Sequence, residues 1–204
     1  MSLDSCRAAI AHENDKEIAE RIHAACNSIC GCEAFSLADG CPGTVRDSET
    51  LHLVISDPQS LLPDLTLNPA SLVQIDYAGL SVLRGPAADG EFEITITELK
   101  ARSASAGKER FFHGICSFAA ATIRYNGSHR FLCVYDTALP GKPHHADVFG
   151  PDLRAIAGGA MSNSERERRK RQRIKQLIDR IGASFQPAQR FRGGIFAARS
   201  RPAA

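Results

Sequence analysis

Tryptophan is absent from the chain, tyrosine occurs three times, and aromatic residues make up only 6% of it. A core without indole rings must be mostly aliphatic, with the ten phenylalanines as its bulky fillers. Long apolar runs are missing too. The longest stretches, such as residues 117–123, fall well short of the about 18 residues that cross a bilayer, so no membrane contact is expected. The opening MSLDSCRAAIAHEND contains Asp4, Glu13 and Asp15 and no apolar leader core, which argues against a secretory signal. Nor is there a Gly-x-Gly-x-x-Gly, a Walker-type lysine loop or a Gly-x-Ser-x-Gly elbow. Nucleotide-cofactor and serine-hydrolase readings therefore lack their usual support.

What is present suits one ordinary domain with an appended tail: 204 residues, 43% of them hydrophobic. The net charge of +2 conceals a strong asymmetry. Residues 160–204 hold 12 bases and 3 acids, a balance of 12 − 3 = +9. The rest hold 25 − 12 = 13 bases and 23 − 3 = 20 acids, a balance of −7. Such a division points to a tail that meets a polyanion, or one that folds onto its own acidic body. The chain divides accordingly into an α+β domain, 1–159, and a basic C-terminal helix and tail, 160–204.

Along the chain, residues 14–30 read as a helix capped near Asn14, with Ile18, Ile22, Ala25 and Ile29 on one stripe and Gly31 as its stop. Strands are expected at Leu51–Ile55, Leu72–Tyr77, Leu80–Leu83 and Glu91–Leu99. In the last, Phe92, Ile94 and Ile96 alternate with Glu93, Thr95 and Thr97. Asn126-Gly127 marks a hairpin between Phe118–Tyr125 and His129–Tyr135, pairing Arg124 with His129 and Ala120 with Cys133. Residues 57–71 and 101–110 read as loops, and Asp152–Ala157 as a helical turn or two. A final helix is expected over Glu165–Ile181, capped by Ser164 and stopped by Gly182. The sum is an N-terminal helix, a mainly antiparallel sheet of about five strands, and a basic amphipathic C-terminal helix.

That last helix carries the first functional signal. Arg166, Arg168, Arg169, Lys170, Arg171, Arg173 and Lys175 repeat along a rod, as recognition of a phosphate backbone requires. Arg190, Arg192, Arg199 and Arg201 extend the field. Phe185, Phe191 and Phe196 are the only aromatics nearby, so contact with RNA or DNA would be tolerant of sequence and sensitive to salt. The stripe Ile174, Leu177, Ile178 and Ile181 needs an apolar surface, in its own chain, in an acidic partner protein or in a second copy.

His23, Cys26, Cys30, Cys32 and Cys41 form a second group. Thiolates with an imidazole suit zinc, although the spacing lacks Cys-x2-Cys knuckles. The plainer reading is that these cysteines pack as small hydrophobes, with Cys26 beside Ile22 and Ile29. The odd total of seven cysteines, without a leader, suggests reduced thiols and a cytoplasmic setting.

Two constellations could support hydrolysis. Asp136, His144, His145 and Asp147 lie in or beside a segment stiffened by Pro140 and Pro143, offering metal ligands or an acid/base pair, with His113 and His129 within reach. Because adjacent residues on an extended chain point to opposite sides, at most one of the two histidines should meet Asp136. Glu98-Leu99-Lys100 at a strand end, with Asp76 or Asp89 upstream, looks like the core of metal-dependent nucleases of the restriction-enzyme type. That resemblance implies Mg²⁺ held by carboxylates and a lysine that orients water. Three functions follow as expectations: nucleic-acid contact through residues 165–180, metal-dependent hydrolysis, and protein docking through Ile174–Ile181.

Overall fold

The computed structural model describes residues 1–11, 17–57, 60–107, 109 and 111–188. Its organising strand is β1, Thr50–Asp57, in which Leu51, Leu53 and Ile55 are all at most 4% exposed. The alternate residue His52 is equally buried, so both faces of this strand are covered. The neighbours are β2 (Leu80–Arg84), β3 (Phe111–Ala119), β6 (Cys133–Asp136), β7 (His145–Phe149) and β8 (Phe185–Pro187). They form a six-stranded antiparallel sheet in the order β6-β7-β2-β1-β3-β8. A separate hairpin joins β4 (Tyr125–Asn126) to β5 (His129–Arg130).

Helices lie on both faces. One face presents Leu53, Ile55, Val82, Val134 and Val148 to α7 (Asn163–Ile181), α3 (Pro69–Leu72) and α5 (Ala120–Arg124). Ile174, Leu177 and Ile181 of α7 sit inside this main cluster. At about 1.5–3 kcal/mol for each buried aliphatic side chain, they fix the helix to the sheet. On the other face, α4 (Asp89–Ser105) places Phe92 against Leu83 and Ile115. There α1 (Leu3–Ile10) and α2 (Ile18–Ala25) cover Cys133, Tyr135 and Phe149. A short α6 (Leu153–Ile156), capped by Asp152, precedes α7.

The mixed helix-and-sheet expectation holds, with six strands in the main sheet rather than about five. Several elements differ. Glu91–Leu99 is helical, within α4: Glu91 accepts a hydrogen bond from the Ala88 N–H, closing the first turn, and Phe92 alone of the alternating set is fully buried. Residues 101–105 continue that helix instead of starting a loop. The strand expected over Leu72–Tyr77 is helical as well, as far as Asp76. Asn68 caps Ala70 N–H, Pro69 opens the turn, and a 3₁₀ segment follows over Val73–Asp76. The strand expected over Phe118–Tyr125 ends at Ala119, where α5 begins. The hairpin turn survives with a shifted register: Asn126 pairs with His129 and Tyr125 with Arg130, around Gly127 at φ 60°. Helix α2 stops at Ala25, and Cys30 takes the left-handed conformation expected of a glycine. The Asn14 cap lies outside the described residues. Ser162, rather than Ser164, caps α7, accepting from Glu165 N–H.

The cysteines are also corrected. Cys6 bonds to Cys32 and Cys30 to Cys133, all four at most 6% exposed. These pairs tie α1 to the turn before β1, and that turn to β6. Cys26, Cys41 and Cys116 are free thiols, and burial pushes that of Cys116 up to about 12.

Candidate nucleic-acid interface

Helix α7 divides its cations between two tasks. Arg173 is 6% exposed; its Nη1 donates to Asp76 Oδ1 at 2.8 Å and its Nη2 to Pro151 O at 3.0 Å. Burial raises the Asp76 carboxyl above its ordinary value and lowers the Arg173 guanidinium, each opposed by the other's charge. Both directions express the same cost of drawing a pair out of water. Arg173 is therefore a structural tie and leaves the set of outward phosphate ligands.

The remaining cations answer mainly to glutamates of their own helix. Arg168 and Arg169 both donate to Glu165, at 2.9 and 2.8 Å, and these contacts hold that carboxyl below its usual range. Lys170 lies 3.1 Å from Glu167, and Arg166 3.9 Å from the same side chain. Arg171 and Lys175 are exposed and make no ion pair among the described residues. Arg180 turns back to the body, donating to Thr122 O and Asn126 Oδ1 and resting 4.2 Å above the Phe131 ring. Arg190, Arg192, Arg199 and Arg201, with Phe191 and Phe196, lie outside the described residues.

Two clefts flank this helix. The larger, about 530 Å³, lies between α2, the β7–α6 turn and α7. Its charges are mixed: Glu20, Asp76 and Asp152 face Arg154, Arg166, Lys170 and Arg173. The second, about 420 Å³, lies between α7, α6 and the β4–β5 hairpin. Its charged lining is wholly basic, with Arg130, Arg168, Arg169 and Arg173, and its neutral polar lining is Asn126, Gln172 and Gln176. Phe131, Leu153 and Ile156 form its apolar floor. The sequence reading missed the two glutamines and Arg130. Arg168, Gln172 and Gln176 recur every four residues, a stripe readable in advance, whereas Arg130 reaches the groove only through the fold.

The histidine–aspartate group separates into three sites. Asp136 is buried, accepting from Arg84 at 3.0 Å and from Ser36 Oγ at 3.0 Å. His144 turns to α4, where its backbone N–H and ring meet Glu91 at 2.9 and 2.7 Å. His145 points the other way, its Nδ1 3.0 Å from Thr137 Oγ1 and its Nε2 3.8 Å from Asp147. Asp147 also accepts from Thr137 at 2.9 Å and Ser81 at 3.2 Å. So neither histidine meets Asp136, and only His145 and Asp147 come together; Glu91, Thr137 and Ser81 are partners that the sequence reading did not name. His129 sits on the distant hairpin, and His113 lies on β3.

Glu98 and Lys100 belong to α4, so they leave the helix on different sides rather than sharing a strand face. Glu98 pairs with Lys142 and Lys100 is exposed, which removes the geometry of the nuclease resemblance. The zinc set is also dispersed: Cys30 and Cys32 are in disulfides, and Cys26 Sγ accepts from Cys32 N–H at 3.2 Å. His23 Nε2 sits 2.9 Å from Gly150 O, with its pKa lowered by burial, and Cys41 is raised by burial close to Asp136. Among the described residues no cluster of His, Cys, Asp or Glu is placed to hold a metal ion. None of their helices is long and apolar enough to cross a membrane.

No protein family, curated protein or solved structure matches the chain.

Proposed function

We propose that this protein contacts the sugar–phosphate backbone of a nucleic acid through the outer side of α7. Arg168, Arg169 and Arg171 are the principal phosphate ligands, with Arg166, Lys170 and Lys175 adding to the field. The observation that carries this reading is the 420 Å³ groove, which Arg130, Arg168 and Arg169 line beside the enclosed Arg173, with no carboxylate among its described lining residues. Arginines present paired donors to phosphate oxygens, while Asn126, Gln172 and Gln176 can bond to sugars or base edges. Among the described residues the one ring lining the groove, Phe131, is 6% exposed beneath Arg180 and offers no stacking platform, so binding is sequence-tolerant.

The competing expectations fare less well on these residues. A Zn or Mg hydrolase would need ligands that the fold keeps apart. Docking of an acidic protein or a second copy on Ile174–Ile181 would require opening the main core. The disulfides weigh against the cytoplasmic location, because cytosolic thiol pools keep such pairs reduced.

Mobility shift of single-stranded RNA and duplex DNA by the full-length protein at about 50 mM salt tests the reading. A shift that weakens steeply with added salt, and weakens again in Arg168→Ala/Arg169→Ala/Arg171→Ala, is expected. Absence of any shift at that salt rejects it.

A further inference from the structure

The sheet is split in its middle. Among the described residues, β1 and β2 pair only at Leu51↔Arg84 and His52↔Leu83. Continuing that register would set Val54 opposite Ser81, but the pairing stops two residues short of it, at His52. The direction of the main-chain groups follows from two bonds. Ala120 N–H donates to Glu49 O at 2.8 Å, so the residues of β1 in phase with Glu49 turn their amides to β3, and Val54 and Ser56 turn theirs to β2. Arg84 N–H donates to His144 O at 2.8 Å, so Leu80 and Val82 serve β7 and Ser81 faces β1. Among the described residues, the main-chain donors and acceptors of Val54, Ser56 and Ser81 that border the split from both sides therefore have no ladder partner across it.

A cavity of about 350 Å³ occupies it, within the size range of small-molecule sites. Thr95 and Arg102 of α4 roof the cavity, and Ser71 closes it from α3. Arg102 is its single charged lining residue, is exposed, and makes no ion pair among the described residues. Facing strand edges recognise a peptide amide by main-chain hydrogen bonds, and a lone guanidinium recognises a carboxylate. We infer that the β1–β2 split binds a short extended amide ending in a free carboxylate, its amide bonded to Val54 and Ser81 and its carboxylate to Arg102. This site lies beside α4 and does not depend on the nucleic-acid reading.

Amide-resolved NMR titration of the full chain with N-acetyl-glycyl-glycine tests it, alongside the C-terminal amide of that probe and its N-methylated analogue. Saturable shifts at the Val54, Ser56 and Ser81 amides are expected for the free acid, with a dissociation constant of about 1 mM or tighter. The C-terminal amide should bind about tenfold more weakly, and Arg102→Gln should erase that difference. N-methylation should abolish binding to the unmodified chain. The exposed position of Arg102 keeps the variant folded, which unchanged shifts elsewhere would verify. No saturable shift at those amides, equal binding of acid and amide, or tolerance of N-methylation would each overturn the assignment.

Discussion

Arg173 and Arg168 stand five residues apart on one helix and behave as different kinds of residue. Arg173 is enclosed, holding Asp76 and Pro151 O, and its Nη1 lies where a Cβ on Gly150 would have to be. Arg168 has a side chain 63% exposed, and its partner Glu165 is on the same helix. Identical letters in a charge run thus divide into a core tie and a surface cation. The difference comes from phase: Arg173 adjoins Ile174 and Leu177, which the main core requires.

The sharpest test of this contrast is removal of the buried tie. Arg173→Ala leaves Asp76 buried without its cation and should cost about 3–5 kcal/mol, read as a lower urea midpoint. Arg173→Met with Asp76→Leu, which removes both charges, should recover most of that loss, because the pair bears a desolvation cost on each side. If the single substitution is as mild as Arg168→Ala, the enclosed pair contributes nothing special and the contrast collapses.

A similar but covalent tie holds the other face. Cys30–Cys133 closes a separation of 103 residues, so Cys133→Ala should destabilise by about 2–5 kcal/mol. Intact mass before and after reduction should differ by the hydrogens of two disulfides, and an unchanged mass would remove both pairs.

Two buried glutamates extend the comparison to pH, with opposite signs. Burial alone would raise Glu91, but hydrogen bonds from the His144 backbone and ring and from Ala88 N–H outweigh it and leave the carboxyl lowered. Its stabilisation is present above the unfolded carboxylate pKa and is lost as pH falls through the lower folded value. Glu33 is raised, first by burial, against the pull of Arg124, the Val134 N–H and Arg130. Its folded form binds a proton more readily, so its contribution declines as pH rises from the unfolded to the folded value. Urea midpoints across acid pH should therefore lose part of their fall toward low pH in Glu91→Gln and show a steeper fall in Glu33→Gln. Matching slopes would refute the assignment.

These pairs also show where the sequence was legible. The apolar stripe of α7, its stop at Gly182 and the strand at Leu51–Ile55 are periodic signals that core packing reinforces. In α4 two signals conflicted. Phe92, Ile94 and Ile96 alternate like a strand and are β-branched in part, yet Ile94 ends 38% exposed while Phe92, Ile96 and Leu99 take the sheet-facing side of a helix. The acidic start at Asp89 and Glu91 was the helix cue, and tertiary packing overrode local preference. The Asn68-Pro69 cap was equally readable, but the three prolines of residues 57–71 suggested a loop. Nothing local could reveal that His144 meets Glu91, that Arg130 faces Arg168, or that β1 parts from β2. Those depend on which strands become neighbours.

The smallest expected effect on stability is the largest on the proposed function. Arg168→Ala, Arg171→Ala and Lys175→Ala each remove an exposed cation whose only ion-pair partner among the described residues, where it has one, is on its own helix. Each should change stability by no more than about 0.5 kcal/mol. Yet each substitution that takes away a phosphate ligand should lower the slope of log affinity against log salt by about one. Arg173→Met with Asp76→Leu serves as the reverse control, because it alters the enclosed tie while leaving the outer cations in place. Should that double variant and the outer substitutions weaken nucleic-acid binding equally, the division of α7 into an inner and an outer side would be wrong. If only the outer substitutions reduce the salt slope, the charge asymmetry of the chain has its use on one side of a single helix.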